Sequence, residues 1–345
     1  MHYFPLAFLC FCLLGPGTKA TGKGYLPDHT EWQCPSPEAI WPCRCSVDSR
    51  NNMDMDCSAV SSEEQLAAVF RTYFPNPNFR KFILYKNDRV KTLQAGALGN
   101  TTYQQIWITE GALETIEEGA LFGSFHTAFY LVLNFNRISD FPFSDLPSFS
   151  GLVSLDLRHN HLVGFPKLAS STLQALYLSY NALECLPVGA FRNTPALKDL
   201  QLTSTEIAWI PPGIFSGLQH LKNVALGKNH LTYLDDGALE CGPNMGMVDL
   251  GYNEIRHMAP KAFKGQSRSW IYLHQNHLTS LEEKVWRDLF EKAGVLDPVG
   301  DPLHCGCDVA WILRRPAFQR AVDKYTTCAD GKLLRNLNPQ DYDYC

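Results

Sequence analysis

Charged residues are scarce in this sequence, and there is no basic excess. Of the 345 residues 19% are charged, and 30 Lys and Arg against 35 Asp and Glu give a net charge of −5. Nucleic acids and anionic membranes are bound mainly through strongly basic faces. The composition therefore argues against both as the main partner, and we expect no nucleic-acid binding.

Long hydrophobic runs are missing after the first residues of the chain. Residues 4–14 form an apolar run, interrupted by Pro5, that is followed by small residues ending at Ala20. This run has the length of a signal-peptide core and is too short to span a bilayer. We expect a signal peptide over residues 1–20, an N-terminal extension over residues 21–33, and a secreted, extracellular protein without a membrane span.

A six-residue phrase, LxLxxN, returns about every 24 residues. Its second apolar position lies at Leu84, Ile108, Leu133, Leu157, Leu178, Leu202, Leu226, Leu250 and Leu273. A fixed period of this kind indicates one short strand per unit, stacked on its neighbours around a shared core. We predict an α/β-type solenoid, a leucine-rich-repeat horseshoe with a parallel concave sheet and about nine repeats in residues 81–294.

The sixth position of the phrase is predicted to turn inward. Its side chain would bond the backbone groups left unpaired where the strand bends away. A ladder of asparagines fits this role: Asn87, Asn136, Asn160, Asn181, Asn229, Asn253 and Asn276. Gly111 and Thr205 replace Asn in the second and sixth units, where we expect local irregularity or a bound water. Phe191 and Phe215 are expected to fill the core beneath the convex side.

Cysteines concentrate at the two ends of the repeat array. Two clusters of four are present: Cys34, Cys43, Cys45 and Cys57, and Cys305, Cys307, Cys328 and Cys345. An open solenoid exposes an apolar face at each end, and disulfide-bonded caps cover such faces. We predict caps over residues 34–80 and 295–345. Four cysteines allow three pairings, and zinc binding is a weaker alternative. Cys185 and Cys241 are expected to remain thiols.

The side chains that point out of the strands define the candidate binding face. Large aromatic residues there offer rigid contact area of the kind enriched in interfaces. The ordinary alternative is that aromatic residues simply have high strand propensity. The candidate binding residues are Trp107, Tyr130, Asp156, Arg158, Tyr177, Gln201, Asp249, Trp270 and Tyr272.

Catalytic signatures are absent from the sequence. No Gly-rich phosphate loop, GxSxG elbow, HExxH helix or dinucleotide fingerprint occurs. His159 and His161 lie in one repeat and His274 and His277 in a distant one, so these histidines do not converge. We predict a non-enzyme without a cofactor or a metal. Asn100 begins the single N-x-S/T signal and is a predicted glycosylation site.

Two segments resemble the caps of a family of secreted arthropod leucine-rich-repeat proteins. They are CPSPEAIWPCRCSVDSRNNMDMDCSAVSSEEQLAAVFRTYFP at 34–75 and FEKAGVLDPVGDPLHCGCDVAWIL at 290–313. A named member is the non-catalytic subunit of the luciferin 2-monooxygenase of the shrimp Oplophorus, which accompanies a small catalytic subunit. Resemblance to other repeat caps implies first-to-third and second-to-fourth pairing. The implied pairs are Cys34 with Cys45, Cys43 with Cys57, Cys305 with Cys328, and Cys307 with Cys345.

The resemblance implies a secreted, non-catalytic scaffold that binds another protein, such as a small secreted catalytic subunit, and stabilises it. The alternative is a free-standing extracellular recognition or adhesion protein of innate immunity or the matrix. Copurification with a small oxidase would favour the scaffold, whereas binding to microbial or matrix surfaces would favour the alternative. Turnover by the isolated chain would indicate an enzyme.

Overall fold

A computed structural model describes residues 34–263 and 268–345. The predicted signal peptide and extension lie outside these residues. The strands are β1 Arg44–Val47, β2 Met53–Asp56, β3 Asn78–Tyr85, β4 Thr92–Leu93, β5 Thr102–Thr109, β6 Thr115–Ile116, β7 Tyr130–Val132, β8 Ser154–Asp156, β9 Ala175–Tyr177, β10 Asp199–Gln201, β11 Asn223–Ala225, β12 Tyr233–Leu234, β13 Met247–Asp249, β14 His257–Met258, β15 Trp270–Tyr272 and β16 Val295–Asp297. The α-helices are α1 Glu63–Val69, α2 Glu283–Glu291, α3 Ala310–Leu313 and α4 Pro316–Ala321.

One twelve-stranded sheet links the two ends of the solenoid. Its strand order is β1-β2-β3-β5-β7-β8-β9-β10-β11-β13-β15-β16. β1 and β2 form an antiparallel hairpin, and each later pair of neighbours is parallel. The predicted leucine-rich-repeat horseshoe with a parallel sheet is therefore confirmed. β16 adds a strand beyond the nine predicted repeats and joins the C-terminal cap to the sheet.

Asparagine side chains form a buried ladder where the strands end. Asn160 Nδ2 donates to the carbonyl oxygens of Leu157 and Leu133, each at 3.0 Å, and its Oδ1 accepts from the Ile138 N–H at 2.9 Å. The same arrangement recurs at Asn181, Asn229, Asn253 and Asn276. Each repeat is thus bonded to the one before it through backbone groups that would otherwise be buried without partners.

The two repeats without asparagine were expected to be irregular, yet the strand register continues through both. Thr205 Oγ1 donates to the Leu202 carbonyl at 2.8 Å, as an asparagine amide would. The Gly111 N–H donates to Asn136 Oδ1 at 3.2 Å. A Cβ atom on Gly111 would lie only 2.6 Å from the Asn87 carbonyl oxygen. Neighbouring repeats thus supply hydrogen bonds at both positions, and the irregularity is confined to the backbone, where Glu206, directly after Thr205, has a positive φ of 65°.

The convex side returns the chain through turns, short bridges and 3-10 helices. Gly189, Gly213 and Gly237 occupy the same position in three successive turns, LPVGAF, IPPGIF and LDDGAL, and all have positive φ, which favours glycine. Phe191 and Phe215 are buried below these turns, with ring centroids 5.8 Å apart. Among the described residues, α-helices lie in the two caps and between β15 and β16, where α2 buries Trp286.

Disulfides close both caps. The bonded pairs are Cys34–Cys45, Cys43–Cys57, Cys305–Cys328 and Cys307–Cys345, which are those that the resemblance to other caps implies. Cys185 is exposed and Cys241 is buried, in different repeats. Within residues 34–263 and 268–345, no helix is long and apolar enough to cross a bilayer.

Candidate binding face

Two rows of side chains face out of the concave sheet, because strand residues alternate between its two faces. The strand register aligns the first row as Lys81, Gln105, Tyr130, Ser154, Ala175, Asp199, Asn223, Met247, Trp270 and Val295. It aligns the second row as Ile83, Trp107, Val132, Asp156, Tyr177, Gln201, Ala225, Asp249, Tyr272 and Asp297. With the exception of Arg158, every candidate binding residue lies in one of these rows.

In the N-terminal part of the face, a lysine covers an aromatic ring. Lys81 Nζ lies 3.4 Å from the ring centroid of Trp107, a cation–π contact. Burial lowers the pKa of Lys81. Trp107 keeps 37% of its surface exposed, and Tyr130 on the next strand keeps 42%. Trp107 and Tyr130 therefore offer an aromatic patch, part of which the protein's own lysine already covers.

At the centre of the face an arginine neutralises a buried carboxylate. Arg158 Nε donates to Asp156 Oδ1 at 2.9 Å, and a terminal guanidinium nitrogen donates to Oδ2 at 2.6 Å. Asn134 Nδ2 also donates to Oδ2, at 3.2 Å. The guanidinium lies 5.2 Å from the ring centroid of Tyr177. Asp156 is only 4% exposed, so this predicted binding residue is occupied by its own neighbours and is not open to a partner.

The C-terminal part of the face combines aromatic rings with carboxylates. Trp270, which is 49% exposed, stacks on Tyr272 with ring centroids 6.2 Å apart. His274 Nδ1 lies 3.3 Å from Asp297 Oδ2. Asp249 and Gln201 are half-buried in the second row. This half of the face is acidic and aromatic, whereas the charges at the centre are paired.

A stack of three rings beside the sheet was not predicted from the sequence. The His159 ring lies between Phe135 and Tyr180, with centroids 4.2 Å and 4.0 Å away and planes within 11° of parallel. All three occupy the fifth position of LxLxxN and have positive φ. Burial, followed by the nearby Arg158 charge, lowers the pKa of His159. Consecutive aromatic residues at the fifth position were the available signal in the sequence.

The histidines lie apart. His159 is in the ring stack and His274 is beside Asp297. Within the part of the chain that the structure describes, no group of three or more His, Cys, Asp or Glu side chains could hold a metal ion. The arrangement offers contact surface and hydrogen-bonding groups along a curved sheet, which suits recognition of another molecule.

Comparison with known proteins identifies relatives of this chain. The family described as "Leucine rich repeat" matches four overlapping stretches, residues 150–207, 171–231, 195–255 and 219–278. The chain is 36% identical over 310 residues to the Oplophorus-luciferin 2-monooxygenase non-catalytic subunit of Oplophorus gracilirostris. That match covers 89% of this chain and 86% of the relative.

Solved structures show the same fold. A chain in the octameric complex of Latrophilin 3 (Lec, Olf), Unc5D (Ig, Ig2, TSP1) and FLRT2 (LRR) matches with a TM-score of 0.64 and 19% identity, over 85% of this chain and 97% of that chain. A chain of the TLR13–ssRNA13 complex matches with a TM-score of 0.62 and 17% identity, over 79% of this chain and 41% of that chain. At these identities the likeness concerns the fold.

Proposed function

Because this chain belongs to the leucine-rich-repeat family of the Oplophorus-luciferin 2-monooxygenase non-catalytic subunit, we propose that it is a secreted, non-catalytic scaffold that holds a second protein in its concave face. The single observation that carries the proposal is a match at 36% identity over 89% of the chain. A match of this length takes in most of both chains, and the relative's name describes a non-catalytic subunit.

The concave face supports a protein as the ligand. It presents exposed aromatic side chains at both ends of the sheet, Trp107 and Tyr130 at one and Trp270 at the other. Trp107 and Trp270 are seven strands apart, or roughly 34 Å at the usual spacing between strands. A surface of that length suits a folded protein more than a small molecule. We therefore propose that the partner spans both aromatic patches.

The proposed compartment follows from the caps. Disulfides persist in oxidising compartments and are rare in the cytosol. Four of them close the two ends of this solenoid. Together with the signal-peptide pattern of residues 1–20, they support an extracellular protein, and we propose Asn100 as its glycosylation site.

The proposal is tested by affinity capture of the tagged, secreted protein from its source tissue. We expect a second, smaller protein in stoichiometric amount after a salt wash. That protein, and not the captured scaffold, should carry any luciferin-oxidising activity. The scaffold should slow the thermal inactivation of its partner. An eluate without a second protein, or turnover by the scaffold alone, would contradict the proposal.

A further inference from the structure

The concave sheet contains the same pair of side chains twice. Asp156 on β8 is in register with Tyr177 on β9. Asp249 on β13 is in register with Tyr272 on β15. The sequences correspond as well, since LDLRHN precedes LYLSYN in the first place and VDLGYN precedes IYLHQN in the second. Both places therefore set an aspartate beside a tyrosine on the next parallel strand.

The Asp156–Tyr177 pair holds a guanidinium group. Arg158, two residues after the aspartate, donates two hydrogen bonds to the Asp156 carboxylate and lies over the Tyr177 ring. Asn134, from the preceding repeat, donates a further bond to Asp156. A bidentate arginine–carboxylate pair is among the strongest polar contacts in proteins, and an aromatic face adds cation–π attraction.

At the Asp249–Tyr272 pair, glycine replaces both of these donors. Gly251 stands where Arg158 does, and Gly227 stands where Asn134 does. Asp249 keeps the backbone contact, because the Gly251 N–H donates to Asp249 Oδ1 at 2.9 Å, as the Arg158 N–H donates to Asp156 Oδ1 at 3.1 Å. Among the described residues, no side chain donates a hydrogen bond to Asp249.

Gly227 places no side chain beside the Asp249 carboxylate. A Cβ atom on Gly227 would lie 3.1 Å from the Gly251 carbonyl oxygen and 3.4 Å from Asp249 Oδ2, so this position borders the carboxylate directly. The His274 ring covers Gly251 instead, because a Cβ atom there would lie 2.4 Å from His274 Nε2. Trp270 extends the Tyr272 ring into an aromatic wall.

We propose that this second place binds an arginine side chain of the partner protein. The guanidinium would pair with Asp249 and pack on Tyr272, as Arg158 does within the chain at Asp156 and Tyr177. The proposal deepens the scaffold function proposed above and rests on it. From β10 to β16 the two outward rows carry Asp199, Asp249 and Asp297 and contain no Lys or Arg, which complements a cationic group.

Arginine is the expected residue because the template in the first place is planar and bidentate. A lysine ammonium is a compact, strongly hydrated charge that cannot offer two parallel N–H groups to a carboxylate. The partner's arginine would also lose less conformational freedom per hydrogen bond formed. We therefore expect discrimination between arginine and lysine in addition to discrimination between charged and neutral groups.

The test uses defined peptides and the full secreted chain labelled with ¹⁵N-tryptophan. The probes are acetyl-Gly-Gly-Arg-Gly-Gly-amide and the same peptide with citrulline, which has the shape of arginine without its charge, or with lysine. The Trp270 indole N–H signal, assigned from Trp270→Phe, reports binding. We expect saturable shifts of this signal with the arginine peptide. The affinity for the citrulline peptide and for the lysine peptide should each be at least fivefold lower than the affinity for the arginine peptide.

Three variants locate the site. Asp249→Asn should weaken arginine-peptide binding at least fivefold. Glu118→Gln, which changes the net charge equally at an exposed position outside the concave face, should leave it unchanged. Ser179 in LYLSYN stands where His274 stands in IYLHQN. The double variant Gly251→Arg/His274→Ser therefore recreates the set of Asp156, Arg158, Tyr177 and Ser179, and its internal arginine should abolish binding. Unfolding curves in urea establish that each variant is folded.

The outcomes separate this inference from the scaffold function. Equal affinity for the arginine and citrulline peptides, or unchanged binding by Asp249→Asn, overturns the arginine site even if a partner protein is captured. An equal loss in Glu118→Gln also overturns it, because the attraction would then be general. Arginine-specific binding without any captured protein would support the site and contradict the accessory-subunit function.

Discussion

Asp301 accepts a hydrogen bond of 2.6 Å from the backbone N–H of Asn276. It is the sixth residue of LDPVGD, which begins at Leu296 on β16, and so it holds the place that an asparagine holds in the preceding repeats. Asn276 sends its amide nitrogen to the carbonyls of Leu250 and Leu273. The equivalent atom of Asp301 is Oδ2, which is buried and has no hydrogen-bond partner among the described residues.

In the preceding repeats the side chain in this place bonds carbonyl oxygens, and a carboxyl group can do so only when it is protonated. Burial, and then the charge of Asp297, raises the pKa of Asp301 to about 7 from an ordinary value of 3.8, against two backbone N–H groups that lower it. Between about pH 4 and pH 7 the folded protein thus binds more protons at Asp301 than the unfolded chain does. The contribution of Asp301 to stability therefore falls as the pH rises through this window and is constant above it.

Asp301→Asn should restore the ladder and stabilise the protein. An amide nitrogen in place of Oδ2 can donate to the carbonyls, so we expect the free energy of unfolding to rise at pH 8 by on the order of 2 kcal/mol. The gain should nearly vanish at pH 4, where the native carboxyl is already protonated. Urea unfolding of the variant and the native protein at both pH values measures the difference. A gain that is equal at both would contradict the pH argument.

Much of the fold could be predicted because the repeat places a separate physical constraint on the strand residues and on the sixth residue of each phrase. The strand residues must alternate and the sixth residue must satisfy backbone groups, so Leu157 and Asn160 could be assigned from one phrase. Thr205 and Gly111 could not, because their hydrogen bonds come from asparagines one repeat further on. The structural role of Asp301 was missed because LDPVGD interrupts the apolar pattern with a proline.

The Cys43–Cys57 disulfide provides a test of the N-terminal cap. Both cysteines are buried beneath the first strands. Cys57→Ser should lower the free energy of unfolding by about 2–5 kcal/mol and reduce secretion. Cys185→Ser is the matched control, since Cys185 is exposed and lies outside the four disulfides. Comparable secretion of the two variants would show that the cap does not depend on this bond.

Glycosylation at Asn100 is testable on protein secreted from animal cells. Asn100 is exposed two residues before the start of β5, and Thr102 completes the acceptor signal. We expect glycosidase treatment to reduce the mass of the native protein. Asn100→Gln and Thr102→Ala should already have the reduced mass, whereas Thr102→Ser should retain the glycan because serine also serves the signal. A native protein whose mass is unaffected would rule out the site under these conditions.

The binding face was predictable in outline only. Alternation placed Trp107, Tyr130 and Trp270 on the outer side, where the structure also has them exposed. Sequence alone could not reveal that Arg158 donates hydrogen bonds to both carboxylate oxygens of Asp156, because this contact depends on how the two side chains orient in space. It also gave no reason to compare Gly251 with Arg158 until the register had aligned the two Asp–Tyr pairs.

The paired variant Trp107→Ala/Tyr130→Ala tests whether the N-terminal aromatic patch binds the partner. Both rings are partly exposed, so removing them should weaken binding to the captured partner at least tenfold, or about 1.4 kcal/mol. Loss of the Lys81 contact with Trp107 should lower the free energy of unfolding by only about 0.5–1 kcal/mol, as at other exposed cation–π sites.

The control variant Phe122→Ala/Tyr325→Ala removes two rings of greater exposure that lie outside the two concave rows and should leave the affinity unchanged. Calorimetric titration of the partner and thermal unfolding of each variant separate the two effects. If the Trp107 and Tyr130 pair unfolds the protein, these rings are structural and the assignment of the patch is wrong; if the control pair weakens binding equally, the partner binds outside the concave sheet.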